Sequence, residues 1–274
     1  MSKSRESLKW VMRAGYGARG VIYATVGGLA FWAAFTADQA AGTKDALATL
    51  RSAPLGVLAL WIIGLGLLAY TLWRVVAGVF DVEDHGTGAR GLVARTGQVV
   101  TGLLHGAIGI SVILLAISGG GNTDSSAEDW TQMLMSIPMG RTLVALAALV
   151  LLGAGLYYCK KGMRGEYKDH LRSTALTAQV APILKAGLVI YGALIALVAL
   201  SLGLAALRAD PSQAGGLGQA LGQLQRLSYG WVLLAGAGLG LLAFALYNFV
   251  EAKYRVVPRI DGPNVKTLAK EALN

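Results

Sequence analysis

Arg13-Ala14-Gly15-Tyr16-Gly17-Ala18-Arg19-Gly20 opens a pattern that the chain writes three times. The second copy is Arg95-Thr96-Gly97-Gln98-Val99-Val100-Thr101-Gly102, and the third is Lys185-Ala186-Gly187-Leu188-Val189-Ile190-Tyr191-Gly192. Each sets a base two residues before one glycine and seven before another, and the copies start 82 (95 − 13) and 90 (185 − 95) residues apart. A second pattern alternates with the first: Pro54-Leu55-Gly56, Pro138-Met139-Gly140 and Ser228-Tyr229-Gly230. Seventeen residues past those glycines stand Trp73, Tyr157 and Tyr247, read as an interfacial aromatic belt. An internal period of this kind marks one structural unit used repeatedly. The register is ambiguous in one place, because Gly153-Ala154-Gly155 also matches Gly64-Leu65-Gly66 and Gly238-Leu239-Gly240.

The composition says in which solvent the unit folds. Of 274 residues 55% are hydrophobic and 14% charged, with a mean hydropathy of +0.56. A water-soluble domain carries about 25% charged residues. The acidic and basic residues leave six long gaps, 20–37, 52–73, 96–123, 142–159, 186–207 and 227–250, which run from 18 to 28 residues. Crossing a bilayer takes about 20 apolar residues as a helix, and backbone groups in lipid must be paired within the segment. The expected fold is an all-α membrane protein with six transmembrane helices, two per repeat. The many Gly and Ala residues suit close helix packing in lipid.

Lys and Arg set the expected orientation. The N-terminus, the loops around 74–95 and 160–185 and the C-terminal tail hold 19 of the 24, and the opposite side holds 5: Lys44, Arg51, Arg141, Arg208 and Arg226. Both termini are therefore expected in the cytoplasm, in a bacterial inner (plasma) membrane. The net charge of +9 reads as a topology signal and an attraction for anionic headgroups on the cytoplasmic side. It is not a nucleic-acid footprint, because no basic cluster is interleaved with aromatics. The first apolar stretch reads as a retained anchor rather than a cleaved signal. Cys159 is the only cysteine, which excludes an intrachain disulfide.

A two-helix unit ends on the side where it began, so three tandem copies share one orientation. They are expected around a pseudo-threefold axis along the membrane normal, within a single membrane domain spanning 1–274. The repeats occupy 10–80, 92–162 and 182–252, and 253–274 is a cytoplasmic tail. Leu47 and Leu50, Met133 and Leu134, and Leu221 and Leu224 precede the Gly starts at a spacing suited to amphipathic helices on the outer surface. The stretch from Arg13 to Tyr23, with Pro54-Leu55-Gly56, resembles the bacterial domain-of-unknown-function 1206 family, a triplicated two-span unit, over nearly the whole chain. The second and third copies depart from it by Thr101 and Tyr191 at the position of Arg19. The resemblance implies the fold and brings no activity with it.

Candidate site residues are few. Arg19 lies inside an apolar stretch, where a central charge costs about 3 kcal/mol or more. Either it snorkels to the headgroups, or it faces the bundle and holds an anionic lipid head, an anionic solute or a carboxylate from Asp81, Glu83, Glu166 or Glu251. Repeat position puts Thr101 and Tyr191 level with it, as a candidate polar cavity. His105 is deep in its helix and reads as a neutral histidine bonded to a neighbouring helix rather than a proton carrier. Asp81-Val82-Glu83-Asp84-His85 reads as a solvated loop, with no metal-ligand pattern. The Gly64-x-Gly66-x-x-Ala69 match to a dinucleotide fingerprint lies mid-helix and is a false positive. Val265, Leu268, Ala269, Ala272 and Leu273 read as one face of a short helix on the membrane or on a partner. No catalytic residue, metal site or cofactor emerges, so an enzyme is not expected. The favoured reading is a non-catalytic scaffold or accessory subunit that binds lipids or another membrane protein. The alternative is a small-solute or ion transporter with a path along the pseudo-axis.

Overall fold

The computed structural model describes residues 3–36, 42–118, 127–257, 260 and 267–271. The long helices are α1 (Lys3–Ala33), α3 (Gly56–Phe80), α4 (Ala89–Ser118), α6 (Gly140–Arg164), α7 (Ala175–Arg208) and α9 (Gly230–Tyr254). A short helix precedes each second long one: α2 (Thr43–Ser52), α5 (Ala127–Met135) and α8 (Leu217–Gln225). The tail adds α10 (Leu268–Glu271), and 3-10 turns cover Glu166–His170 and Pro211–Gln213. Among the described residues, five helices (α3, α4, α6, α7 and α9) are long and apolar enough to cross a membrane. The 31-residue α1 falls outside that group, because a charged N-terminal half and Arg19 dilute its apolar character.

The repeated Gly starts have a common steric cause. Gly56 N donates to Ala53 O at 2.9 Å, Gly140 N to Ile137 O at 2.9 Å and Gly230 N to Leu227 O at 2.8 Å. Each turn folds the long helix back so tightly that a Cβ at the glycine would overlap a carbonyl of the preceding short helix: Leu50, Leu134 or Gln225. In the first two, the residue before the glycine takes a positive φ (Leu55 62°, Met139 61°).

The long helices follow one another in the order α6, α7, α9, α1, α3, α4. The most extensive packing joins one repeat to the next: α3 on α4, α6 on α7, and α9 on α1. Glycines let the backbones meet in all three. Gly64 faces Gly109, Gly155 faces Gly192 and Gly27 faces Gly238, and a Cβ on any of them would come within about 3 Å of the opposing carbonyl. Gly155 sits against Gly192 as Thr71 sits against Gly102, so the Pro138-Met139-Gly140 turn, and not the Gly153/Gly155 match, fixes the register of α6.

Within repeats the picture divides. α1 packs on α3 and α7 on α9, whereas α4 and α6 make no substantial contact. The short helices follow suit: α2 and α8 each touch both long helices of their repeat, while α5 leans on α6 and the Pro211–Gln213 turn instead of α4. Leu47 and Leu221 are accordingly buried, and Met133 and Leu134 are exposed.

The described part of the tail packs onto its own chain. Val256 N donates to His170 O at 2.7 Å, and Leu268 N to Leu171 O at 3.1 Å. Val257 and Ile260 pack with Met12, Tyr16 and Trp73. Val265, Ala272 and Leu273 lie outside the described residues.

Candidate functional site

Arg19 points into the bundle and is 2% exposed, so the snorkelling account fails. Its Nη1 donates to the Tyr70 hydroxyl at 2.8 Å. Its guanidinium carbon lies 4.8 Å from the ring of Tyr70, 5.6 Å from that of Tyr23 and 5.6 Å from that of Phe244. A desolvated cation over an aromatic face is stabilised by about 2 kcal/mol, which helps to hold this charge away from water. The rings also hold one another. Tyr191 stacks on Phe244 at 3.7 Å, Tyr158 meets Tyr191 edge-on at 5.0 Å, and the Tyr23 and Tyr191 hydroxyls are 2.9 Å apart.

The expected carboxylate partner is absent. Among the described residues Arg19 makes no ion pair, and its Nε and Nη2 are buried without a hydrogen-bond partner. Arg74 also lies over Tyr70, 5.7 Å from the ring, and its Nε is unfilled. His105 packs edge-on against the same ring at 5.0 Å. Its Nδ1 is 2.8 Å from the Thr101 carbonyl of its own helix, in place of the expected bond to a neighbouring helix, while its Nε2 has no partner. Tyr191 and His105 therefore join the Arg19 cluster, and Thr101 contributes through its backbone. Six helices supply the cluster: α1 (Arg19, Tyr23), α3 (Tyr70, Arg74), α4 (His105), α6 (Tyr158), α7 (Tyr191) and α9 (Phe244).

The acids are engaged one level further toward the chain ends. Arg255 Nη2 meets Glu83 Oε1 at 2.6 Å, and its Nη1 pairs with Glu251. Tyr247 donates to Glu251 at 2.5 Å and accepts from Lys161 Nζ at 3.0 Å. Gln98 Nε2 donates to Glu83 at 2.7 Å. Two carboxylates face two cations, so the network is balanced within itself and leaves nothing for Arg19. Burial alone would raise the Glu83 carboxyl, but the Arg255 guanidinium, the His85 hydrogen bond and Arg74 outweigh it. They hold Glu83 well below the usual carboxylate range. Burial, with Arg255 and Lys161 adding, pushes His170 down to about 4.

Two expectations are corrected here, and the sequence candidate Glu251 finds its place. The Asp81–His85 segment is not a solvated loop: Asp81 and Glu83 are buried, and Asp81 accepts from the backbone N–H of His85 and Gly86 at 2.8 and 2.9 Å. Glu251, one residue past the last charge-free gap, lies inside α9 and is fully buried. Trp73 and Tyr247 are core residues rather than an aromatic belt, and only Tyr157 of the three is exposed. Tyr70, Tyr158, Phe244 and Arg74 were not singled out by sequence. Each lies in or next to an apolar run, and only the crossing of distant helices brings it to Arg19.

Comparison with known proteins agrees with the repeat. The model of the family described as Domain of Unknown Function (DUF1206) matches residues 14–81, 96–165 and 186–255. The chain belongs to this family. Among curated proteins, it is similar to a chain titled uncharacterized protein YxxB of Bacillus subtilis (strain 168). The two are 28% identical over 263 residues, 93% of this chain and 95% of that one. No solved structure matches. The repeats found by the DUF1206 match share their 82- and 90-residue offsets (96 − 14 and 186 − 96) with the glycine pattern.

Proposed function

We propose that this DUF1206 protein is a non-catalytic membrane protein that holds an anionic group at Arg19 inside its bundle. One observation carries the reading. Arg19 is buried among rings, with two donor groups unfilled, while Glu83 and Glu251 are already paired to Arg255. A guanidinium withdrawn from water favours phosphate or carboxylate, which fill its donors in pairs. In this reading α1 is a sixth crossing, since it lies along α9 and α3. The three repeats then surround a pseudo-threefold axis, and both termini are in the cytoplasm of a bacterial inner membrane. A solute path along the axis finds less support, because Tyr191 and Phe244 stack across the interior.

The test is thermal unfolding of the purified protein in zwitterionic detergent, with and without an anionic phospholipid. A ligand at about 100 times its Kd adds about 2.7 kcal/mol of stability, so the parent is expected to melt several degrees higher with the anionic lipid. Arg19→Ala should lose that gain, Arg19→Lys should keep part of it, and Arg13→Ala should keep all of it. An Arg19→Ala variant stabilised as much as the parent would overturn the reading.

A further inference from the structure

The three repeats are not equal at the Arg19 level, and the difference lies in the seam between α4 and α6. Counted from the turn glycines Gly56, Gly140 and Gly230, positions 66, 150 and 240 are equivalent, as are 70, 154 and 244. In the first repeat Gly66 lies against Ala18, and in the third Gly240 lies against Ile190, so each pair of helices closes on a glycine. In the second repeat Val150 stands at that position, and its counterpart on α4 is Val100; both are exposed. Two β-branched side chains would overlap if α4 and α6 approached as the other pairs do. The glycine on the other helix tells the same story. A Cβ on Gly15 would meet the Tyr70 backbone at 2.5 Å and one on Gly187 the Phe244 backbone at 2.5 Å, whereas one on Gly97 would meet nothing within 4 Å.

The seam also lacks a ring. Tyr70 and Phe244 both lie over the Arg19 guanidinium, while the third equivalent position is Ala154, a methyl group. One turn further along α6, Tyr158 is part-exposed although the Arg19 it neighbours is buried. The cation is thus walled by rings from two repeats. Toward the third it has a methyl group at the equivalent position, one part-exposed tyrosine and two helices without substantial packing against each other.

We infer that the seam between α4 and α6 is a lateral doorway through which a phosphate-headed lipid places its headgroup on Arg19, with its acyl chain leaving between the two helices. The inference rests on the anion reading above and adds the ligand class and the route. The occupant follows from the chemistry at the two ends of the path. Unfilled guanidinium donors on Arg19 and Arg74 call for an anion with several acceptor oxygens. The exposed Val100, Val150 and Leu104 along the seam call for a hydrocarbon chain. Tyr158 covers the headgroup site, and Ala154 leaves the space that the headgroup takes.

The experiment compares three probes on the purified protein by thermal shift. They are a single-chain lysophosphatidate, the lysophosphatidylcholine with the same acyl chain, and glycerol 3-phosphate. The expected result is a clear shift with lysophosphatidate and at least tenfold weaker responses to the other two. Ala154→Phe restores the third ring and should weaken the lysophosphatidate response at least tenfold while the ligand-free melt stays near the parent's. Should Ala154→Phe fail to fold, Val150→Trp, on an exposed position, blocks the seam from outside with the same expectation. Two outcomes overturn the doorway while leaving the anion site standing. One is a blocked variant that binds lysophosphatidate like the parent although Arg19→Ala does not. The other is glycerol 3-phosphate matching the lipid, which would mean access from water. If Arg19→Ala itself responds like the parent, the anion site falls and the doorway with it.

Discussion

Arg255 and Glu83 form a buried ion pair at 2.6 Å across 172 residues of chain. Each comes from the end of a second helix of a repeat, one following α3 and the other following α9. Together with Glu251 and Lys161 they tie the ends of three long helices into one neutral unit. That closure keeps the acids at the chain-terminal end of the bundle and leaves Arg19 to the tyrosines.

Breaking this pair is expected to cost more than its net contribution, because an orphaned buried charge remains. Arg255→Met leaves two buried carboxylates facing Lys161 as the one remaining cation of the network and should cost about 3–5 kcal/mol. Glu83→Gln should cost less, since Arg255 keeps Glu251. Melting curves in detergent check both, and two variants that melt with the parent would show the network to be immaterial to stability.

Stability should fall in acid, in two stages. His170 titrates at about 4 in the folded protein, against about 6.5 for a free histidine. Between those values the unfolded chain takes up a proton that the folded chain refuses, so lowering the pH from 6.5 toward 4 favours unfolding. Glu83 is depressed instead. Its contribution is complete above about 4.3 and is lost as pH falls through its lower folded value. Midpoints measured from pH 8 to 3 should be flat to about 6.5, decline below that and steepen near 4. His170→Gln should remove the upper part of the decline, and an unchanged profile in that variant would contradict the assignment.

The same glycine should matter in two repeats and not in the third. Gly15→Ala and Gly187→Ala force a methyl group into the Tyr70 and Phe244 backbones and should each cost about 1–3 kcal/mol. Gly97→Ala meets open space and should be neutral, or gain up to about 1 kcal/mol from helix propensity. Equal losses at all three sites would mean that α4 and α6 close on each other in the folded protein.

Orientation is open to a direct check. Reporters fused after Asn274 or within 160–172 should read cytoplasmic, and one near residue 123 external, following the 19-to-5 division of Lys and Arg. An external signal at the C-terminus would invert the proposed topology.

The sequence by itself determined the helical, membrane-type composition, the threefold repetition and its offsets. Each of these is local: a charge-free run, a base and two glycines, or a turn whose glycine must clear a carbonyl five or six residues back. It also marked Arg19, because a charge inside an apolar run is visible without coordinates. The tertiary structure alone decided what surrounds that charge. Tyr70, Tyr158 and Phe244 come from three helices far apart in the chain, and no spacing rule selects them from other aromatics in apolar runs. Burial of Glu83 and Glu251 likewise depended on Arg255 meeting both carboxylates, a contact that local charge counting reads as solvated. The inequality of the repeats was written in Val150 and Ala154, but their effect is a failure of two helices to meet. Such a failure is a property of packed surfaces, and only the assembled bundle exposes it.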